Sequence, residues 1–293
     1  MTGRAPAVFF GSGPFAVPIL EALAAAPEVD RLTVVTTPPR PAGRGGRTHA
    51  TPVGERAMAL GLPLLAPARL RDEAALAPIL AAASQLVVLA DYGRLLPAAL
   101  VETPVHGALN LHPSLLPRWR GATPVAHAIA AGDDTTGVTL MRMDRGLDTG
   151  PLVDQVGLPI EPDETAPRLE ARLAQLAATM LRARLGPWLR GELSARPQPT
   201  EGVTQAPAFA RDDGRLDGTG TALAAARRVR ALQPWPGTFI ETPAGRLVLW
   251  QVRPIDGRPP GSVPGTVVAL GAGLALVMGS DWLTLEEIQL AGG

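Results

Sequence analysis

Residues 108–121 read ALNLHPSLLPRWRG, and this stretch decides how the chain is interpreted. An apolar segment leads into Asn110 and His112, which are separated by one residue, and a proline-bracketed segment follows. Alternate residues of a strand point to the same face, so the amide and the imidazole are expected side by side. The pattern predicts a buried strand that delivers two polar side chains to one crevice.

Around this stretch, short apolar segments alternate with helical patterns of apolar residues. The main predicted strands are residues 7–10, 32–36, 86–90 and 108–111. Strands and helices in alternation favour right-handed βαβ units and a parallel sheet. Residues 1–188 are therefore predicted to form a Rossmann-like α/β domain. In such sheets ligands bind beyond the carboxyl ends of the strands, where Asn110 and His112 are expected.

The character of the sequence changes after residue 188. Residues 189–207 are rich in Pro, Ser, Thr and Gly without periodicity, and we interpret them as a linker. Beyond a helical pattern at residues 222–232, short apolar segments alternate with glycine and proline turns. This spacing is typical of a small barrel or sandwich. Residues 208–293 are thus predicted to be a small all-β domain, an OB-like barrel.

The composition excludes several kinds of chemistry. The 293 residues include no cysteine, which removes disulfides and thiolate metal sites. The four histidines form no metal-binding signature, so no metal is expected. Every basic residue is arginine, so no lysine can form a Schiff base. The 27 basic and 27 acidic residues balance, and the net charge alone favours no class of partner.

Neither a membrane span nor an export signal is expected. No apolar run approaches the ~20 residues that cross a bilayer. The N-terminal MTGRAPAVFFGSG has a short apolar run that leads into a glycine turn, which is typical of a first strand and not of a secretory signal. We therefore expect a cytoplasmic protein without membrane association, and a monomer.

A third polar group, Asp148, falls in the glycine-bracketed turn MDRGLDTGP after another apolar strand. An amide, an imidazole and a carboxylate that converge on a crevice suit acyl or formyl transfer. The amide donates to a developing oxyanion, the imidazole does the same or carries a proton, and the carboxylate orients the imidazole or accepts the proton of an amine. The sequence contains no serine or cysteine nucleophile elbow, which favours direct attack by an amine. A lone Asn-x-His is more often structural, so the spacing alone assigns no function.

The neighbouring residues resemble the signature of the folate-dependent formyltransferases. NLHPSLLPRWRGATPVAHAI begins at Asn110, and GVTLMRMDRGLDTGPLV begins at Gly137. The Asn-x-His, the Ser-Leu-Leu-Pro with its following Arg-x-x-Gly, and the Leu-Asp-Thr-Gly occur in order. The resemblance implies that Asn110, His112 and Asp148 are a catalytic trio. It also implies that four residues lie along the tetrahydrofolate: Ser114, Leu115, Leu116 and Pro117.

Within that family, the resemblance covers nearly the whole chain and is closest to the members that act on methionyl-tRNA. VFFGSGPFAVPILEAL resembles their first strand, turn and helix, and LVVLADYGRLLP resembles the strand before their active site. RALQPWPGTFI resembles the start of their C-terminal domain. The resemblance implies transfer of a formyl group from 10-formyltetrahydrofolate to the free amino group of initiator methionyl-tRNA, for translation initiation.

The segment VTTPPRPAGRGGRTHATPV resembles a basic insertion loop that approaches the acceptor stem in the family. It carries Arg40, Arg44 and Arg47, with no acidic residue between Thr36 and Pro52. Arginines among glycines can follow a phosphate backbone, although such loops are more often simply solvated. The three arginines are predicted to contact tRNA.

The chain departs from the family at the start of the C-terminal domain. The family usually carries a lysine-rich stretch there, whereas this chain reads QAPAFARDDGRLD. From residue 208 onward eight arginines balance eight acidic residues, and only Arg227, Arg228 and Arg230 form a local basic face. The domain is expected to bind tRNA, and the alternative is that these arginines form a solvated helix face.

Three alternative functions match parts of the sequence. Residues 11–16, GSGPFA, fit the dinucleotide pattern G-x-G-x-x-A, but the second strand ends Val35-Thr36-Thr37 without the carboxylate that holds a ribose. A formyltransferase for an amino sugar on a nucleotide would share the trio, and the arginine–glycine loop argues against it. A non-catalytic RNA-binding protein is disfavoured by the intact trio.

Overall fold

The computed structural model describes residues 4–42, 47–257 and 261–290. These divide into two compact units. The first holds the described residues of 1–122, 137–158 and 170–205, and the second holds those of 123–136, 159–169 and 206–293. No helix among these described residues is long and apolar enough to cross a membrane.

Parallel strands form most of the sheet in the first unit. The strands up to residue 160 are β1 (Ala5–Phe10), β2 (Val29–Val35), β3 (Arg40–Ala42), β4 (Arg47–His49), β5 (Leu64–Leu65), β6 (Leu86–Leu89), β7 (Ala108–His112), β8 (Thr135–Arg142) and β9 (Leu152–Pro159). Seven of them form one sheet in the order β5-β2-β1-β6-β7-β8-β9. The pairs from β5 to β7 are parallel, as predicted, because each connection contains a crossover.

The prediction of a wholly parallel sheet is wrong at one edge, where β8 pairs antiparallel with β7. The interior of β8 is buried throughout, and a strand buried on both faces has the same apolar pattern in either direction. The residues of β8 therefore could not indicate their own direction. The sheet is mixed, and its α/β class is confirmed.

Helices alternate with these strands, and two of them, at residues 124–131 and 166–189, lie wholly or partly in the second unit. Those up to residue 190 are α1 (Ala16–Ala24), α2 (Pro52–Ala59), α3 (Glu73–Ala82), α4 (Ala98–Glu102), α5 (Pro124–Ala131) and α6 (Ala166–Leu189). A buried cluster includes Phe10 of β1, Val87 of β6 and Ile79 of α3. Tyr92 joins it edge-on to Phe10, with ring centroids 5.2 Å apart. This packing joins β1 and β6, and β7 runs beside β6.

The second unit contains an antiparallel sheet and a ten-residue helix, together with the helix at residues 124–131. Its elements after residue 206 are α7 (Ala222–Ala231), β10 (Thr238–Thr242), β11 (Gly245–Ile255), β12 (Val267–Leu270), β13 (Gly273–Val277) and β14 (Trp282–Leu290). The five strands form a curled half-barrel in the order β10-β11-β14-β13-β12. Val229 of α7 is buried with Leu249, Leu276 and Leu283 of the strands. This arrangement confirms the prediction of a small all-β domain with a barrel-like sheet.

The segment predicted as a linker, residues 189–207, is ordered. Residues up to 205 cluster with the first unit. Leu152 and Arg196 exchange backbone hydrogen bonds of 2.7 and 2.9 Å, which tie this segment to β9. The domain boundaries at residues 188 and 208 stay a prediction.

Candidate active site

The three side chains predicted as a catalytic trio, Asn110, His112 and Asp148, meet in the first unit. All are buried, with exposed fractions of 6%, 5% and 8%. Asn110 Nδ2 donates a hydrogen bond of 3.4 Å to Asp148 Oδ1. His112 Nδ1 lies 3.7 Å from the same oxygen. One carboxylate oxygen therefore faces both the amide and the imidazole.

The imidazole is oriented by its other nitrogen. His112 Nε2 lies 2.9 Å from the carbonyl oxygen of Trp119. A carbonyl oxygen can only accept, so Nε2 carries a proton and donates it. Trp119 holds this position with a φ of 62°, a left-handed conformation that is uncommon for a bulky residue. The ring is thereby held with Nδ1 towards Asp148.

Asp148 is held by two neighbouring groups, the N–H of Gly121 and the side chain of Gln198. The residue has a φ of 54°, in the left-handed region that Asp and Asn enter more readily than most residues. The N–H of Gly121 donates to Asp148 Oδ2 over 2.9 Å. Gln198 Nε2 donates to the carbonyl oxygens of Asp148 and Gly150, both over 2.8 Å. Oδ2 is thus fixed by the backbone, which leaves Oδ1 facing the other two members of the trio.

The Ser-Leu-Leu-Pro segment directly after β7 forms a rigid support beside the trio. Ser114 is fully buried, and its Oγ donates to the carbonyl oxygen of Arg118 over 2.7 Å. The N–H of Leu116 donates to Thr139 Oγ1 over 3.1 Å, and Gln155 Nε2 donates to the carbonyl oxygen of Leu116 over 2.8 Å. The polar groups of Ser114 and Leu116 are therefore engaged within the protein. The contact of this segment with a folate stays a prediction.

Sequence reasoning missed the residues that hold the trio in place. Thr139 lies opposite His112 on β8, and a polar residue inside an apolar strand is the signal that could have identified it. Gln198 had no such signal, since its partner is a backbone carbonyl 50 residues away in the chain. Any residue with a side-chain amide at position 198 could donate the same hydrogen bond, so this contact requires no recognisable sequence pattern.

The glycine turn after β1 is occupied by a carboxyl group that sequence reasoning also missed. The N–H groups of Ser12 and Gly13 donate to the carbonyl oxygen of Asp91, over 2.9 and 3.2 Å. A Cβ on Gly13 would lie only 1.8 Å from Asp91 Oδ2, so any larger residue there would displace the Asp91 side chain. A carboxyl group at this turn disfavours the pyrophosphate of a dinucleotide, in agreement with the missing acidic residue at the end of β2.

The Asp91 carboxyl has a perturbed affinity for protons. The residue is accessible to solvent, yet the surrounding protein desolvates the carboxyl and raises its pKa to about 7, and the charge of Glu170 adds to the shift. Burial likewise raises the pKa of Glu170, while a hydrogen bond from the backbone of Phe15 opposes that rise. Two carboxyl groups therefore lie near the start of α1 with weakened acidity.

The segment with the three predicted tRNA-binding arginines, residues 40–49, contains a short β-ribbon and is called the arginine hairpin here. The sequence predicted a polar loop, whereas β3 pairs antiparallel with β4, with Arg40 opposite His49 and Ala42 opposite Arg47. Backbone hydrogen bonds form this pairing, so no alternation of apolar side chains indicated it. Arg44 lies outside the described residues.

Hydroxyl groups anchor both ends of the arginine hairpin. The N–H and Oγ1 of Thr37, before the hairpin, both donate to Ser12 Oγ over 3.2 Å. Thr51, after the hairpin, shares a hydrogen bond of 2.6 Å with Thr36 Oγ1. Thr51 Oγ1 also accepts from the N–H of Gly54 and caps α2. The hairpin is therefore held against the turn that follows β1.

Comparison with known families identifies the family to which the chain belongs. Residues 5–185 match the formyl transferase family, and residues 209–293 match the C-terminal domain of formyl transferases. The chain belongs to the formyl transferase family. The sequence-based prediction of the family and of the enzyme class is thereby confirmed.

Relatives of this formyltransferase span nearly its whole length. It is 44% identical over 287 residues to the methionyl-tRNA formyltransferase of Myxococcus xanthus, with 97% of this chain and 90% of the relative covered. It is 45% identical over 285 residues to the methionyl-tRNA formyltransferase of Thermus thermophilus, with 97% and 91% covered.

A solved structure with a similar fold is the N-formyltransferase from Helicobacter canadensis in complex with folinic acid and dTDP-3-aminofucose. The TM-score is 0.70, and the alignment covers 96% of this formyltransferase and 99% of that chain. The identity is 13%, so this likeness bears on the fold alone.

Proposed function

We propose that this formyltransferase moves a formyl group from 10-formyltetrahydrofolate to the amino group of initiator methionyl-tRNA, for translation initiation. The observation that carries the chemistry is the meeting of Asn110, His112 and Asp148 around one carboxylate oxygen. Asp148 Oδ1 can accept a proton, and the amide and imidazole beside it can donate hydrogen bonds. Formyl transfer to an amine needs both functions within a few ångströms.

In the first step, the amine nitrogen bonds to the formyl carbon and the formyl oxygen becomes an oxyanion. The N–H of Asn110 stabilises that oxygen, and so does His112 when Nδ1 carries a proton in addition to Nε2. Both side chains are buried, so the donors are held in place before the reaction and their interaction with the negative charge is little screened by water.

In the second step, the proton of the attacking amine moves to Asp148 Oδ1. The tetrahedral intermediate then collapses, the bond between the formyl carbon and the donor nitrogen breaks, and that nitrogen takes up a proton. The products are the formylated amine and tetrahydrofolate, and Asp148 returns to its ionised form. Gly121 and Gln198 keep the carboxylate in place during both proton transfers.

Support for the tRNA acceptor comes from the relatives and from the arginine hairpin. The Myxococcus and Thermus enzymes are named for methionyl-tRNA and are 44 and 45% identical to this chain, whereas the enzyme solved with an amino sugar nucleotide is 13% identical. We assign tRNA contacts to Arg40, Arg44 and Arg47. The folate lies along Ser114, Leu115, Leu116 and Pro117 in this proposal. The reaction takes place in the cytoplasm, and a monomer suffices because one chain supplies the whole trio.

The proposal is tested by offering the enzyme 10-formyltetrahydrofolate with either methionyl-tRNA or a nucleotide-linked amino sugar. We expect formyl-methionyl-tRNA as the product, no formylated sugar, and loss of the product with Asn110→Ala. Formylation of the sugar without any RNA would support the alternative acceptor. Failure of both acceptors with the folded wild-type enzyme would contradict formyl transfer to an amine by this site.

A further inference from the structure

A concave site lies in the first unit beside the segment that carries Asp148. Its volume is about 480 Å³, within the range of about 300–1,000 Å³ that is usual for small-ligand sites. Apolar walls come from Pro151, Pro197, Pro199 and Val203, and polar groups come from Arg120, Gln198 and two threonines. The trio itself does not line this pocket, so the reaction as described leaves it without a role.

Arg120 brings an uncompensated positive charge to the pocket. Its Nε and Nη2 donate to Gln198 Oε1 over 3.1 and 2.7 Å, and the oxygen of an amide is neutral. In the part of the chain that the structure describes, no carboxylate forms an ion pair with Arg120. Its side chain is only partly exposed. A partly desolvated guanidinium of this kind favours a phosphate, which it can contact through two parallel N–H groups.

The pocket shares a wall with the catalytic carboxylate. Gln198 accepts from Arg120 through its oxygen and donates through Nε2 to the carbonyl of Asp148. Gly121, next to Arg120 in the chain, donates its N–H to Asp148 Oδ2. Thr149, the residue after Asp148, lines the pocket. The pocket is therefore joined to Asp148 through Gly121, Gln198 and Thr149.

We propose that this pocket binds the 3′-terminal nucleotide of the RNA acceptor, with the 5′-phosphate of that nucleotide on Arg120. This inference rests on the proposed function. The methionyl amine is joined through one ester to the terminal ribose, so a nucleotide must lie close to Asp148 when the amine reacts. The proline and valine faces suit the ribose and the base, and the unpaired guanidinium suits the phosphate. The arginine hairpin is a separate contact.

The test measures how adenosine and adenosine 5′-monophosphate inhibit the formylation of methionyl-tRNA. We expect the monophosphate to compete with methionyl-tRNA, not with the folate, and to have a Ki about tenfold lower than that of adenosine, as a charge-assisted hydrogen bond allows. Arg120→Gln should abolish this difference, because it removes the charge but keeps a donor for Gln198 Oε1. Arg120→Lys, which keeps the charge, should retain a large part of it.

A matched control is Arg190→Ala, since Arg190 is exposed, paired with Glu192 and outside the pocket. It should leave both Ki values unchanged. Absence of competition at millimolar concentration, or an unchanged preference for the monophosphate in Arg120→Gln, would overturn the inference. So would a fall in kcat in Arg120→Gln with both Ki values unchanged, because Arg120 would then act only through Gln198. Wild-type enzyme that does not formylate methionyl-tRNA at all would instead contradict the proposed function.

Discussion

At the scale of single residues, Asn110 and His112 are the two side chains that face Asp148 Oδ1. We predict that Asn110→Ala or His112→Ala lowers kcat about 100-fold or more, since loss of one oxyanion donor typically costs about 10²–10³. The fold should survive, because β7 is paired with β6 and β8 through its backbone, which both substitutions leave intact. Turnover with methionyl-tRNA and the circular dichroism of each variant provide the measurement.

Arg145→Ala is a suitable control for these two variants. Arg145 is 75% exposed and pairs with Glu102 on the surface, so its loss should leave turnover unchanged. A folded Asn110→Ala or His112→Ala enzyme with turnover close to that of the wild type would contradict the assignment of the trio.

The role of Asp148 can be separated from its place in a turn. Asn suits a φ of 54° as well as Asp does, so Asp148→Asn should keep the backbone conformation. An amide cannot accept the proton of the amine, and we predict a loss of kcat at least as large as for the two donors. The measurement is kcat of the folded variant and of the wild type over the same range of pH. A nearly silent substitution would show that Asp148 only shapes the turn.

Asp91 makes stability depend on pH. Its pKa is about 7 in the folded protein against an ordinary value of 3.8, so the folded state binds a proton more tightly than the unfolded state. Ionisation therefore destabilises the fold progressively as pH rises from about 4 to above 7. We predict that Asp91→Asn raises Tm relative to the wild type, and by more at pH 8 than at pH 5. Thermal unfolding of both proteins at these two pH values is the measurement, and an equal difference at both would contradict the shift.

At the scale of elements, the arginine hairpin is positioned by its anchors. β3 and β4 form a ribbon whose ends are held by Ser12 and by the threonine hydroxyl groups. We predict that Arg44→Ala raises KM for methionyl-tRNA or lowers turnover with it, while KM for the folate stays unchanged. The salt dependence of tRNA binding should flatten by about 0.7–0.9 units of slope for the lost phosphate contact.

The measurement is the kinetics of Arg44→Ala at two salt concentrations. Arg190→Ala, a substitution of an exposed residue, is the control. If the arginines of the hairpin meet only water, both variants will behave like the wild type with tRNA. That result would remove the hairpin from the acceptor site and weaken the case for a tRNA acceptor.

At the scale of the whole molecule, the balanced charge limits how tRNA can be attracted. The chain carries 27 basic and 27 acidic residues, so attraction must come from local contacts and not from net charge. With three arginines of the hairpin and Arg120 as contacts, we predict that log(kcat/KM) for methionyl-tRNA falls with log[salt] at a slope of about −2 to −4. A slope near −10, measured over the same range of salt, would require many more phosphate contacts than these four arginines can make.

Much of the fold and the trio could be predicted from contiguous residues. The pattern of apolar residues predicted β1, β6 and β7, because burial in a sheet requires apolar side chains at neighbouring positions of a strand. Asn110 and His112 are two residues apart on one strand, so their shared face follows from strand geometry alone. Asp148 could be predicted because it lies in a short contiguous motif, with a glycine on either side of it.

The sequence by itself thus determined the class of the fold and the family, and it predicts the members of the trio, because all three depend on patterns of neighbouring residues. Only the tertiary structure decided the antiparallel direction of β8, the carboxyl of Asp91 against Gly13, and the hold of Gln198 on Asp148. The physical reason is the same in each case. These features depend on pairings between residues far apart in the chain. The pairings are made through backbone groups that every residue carries, or through close packing that produces no periodic pattern in the sequence.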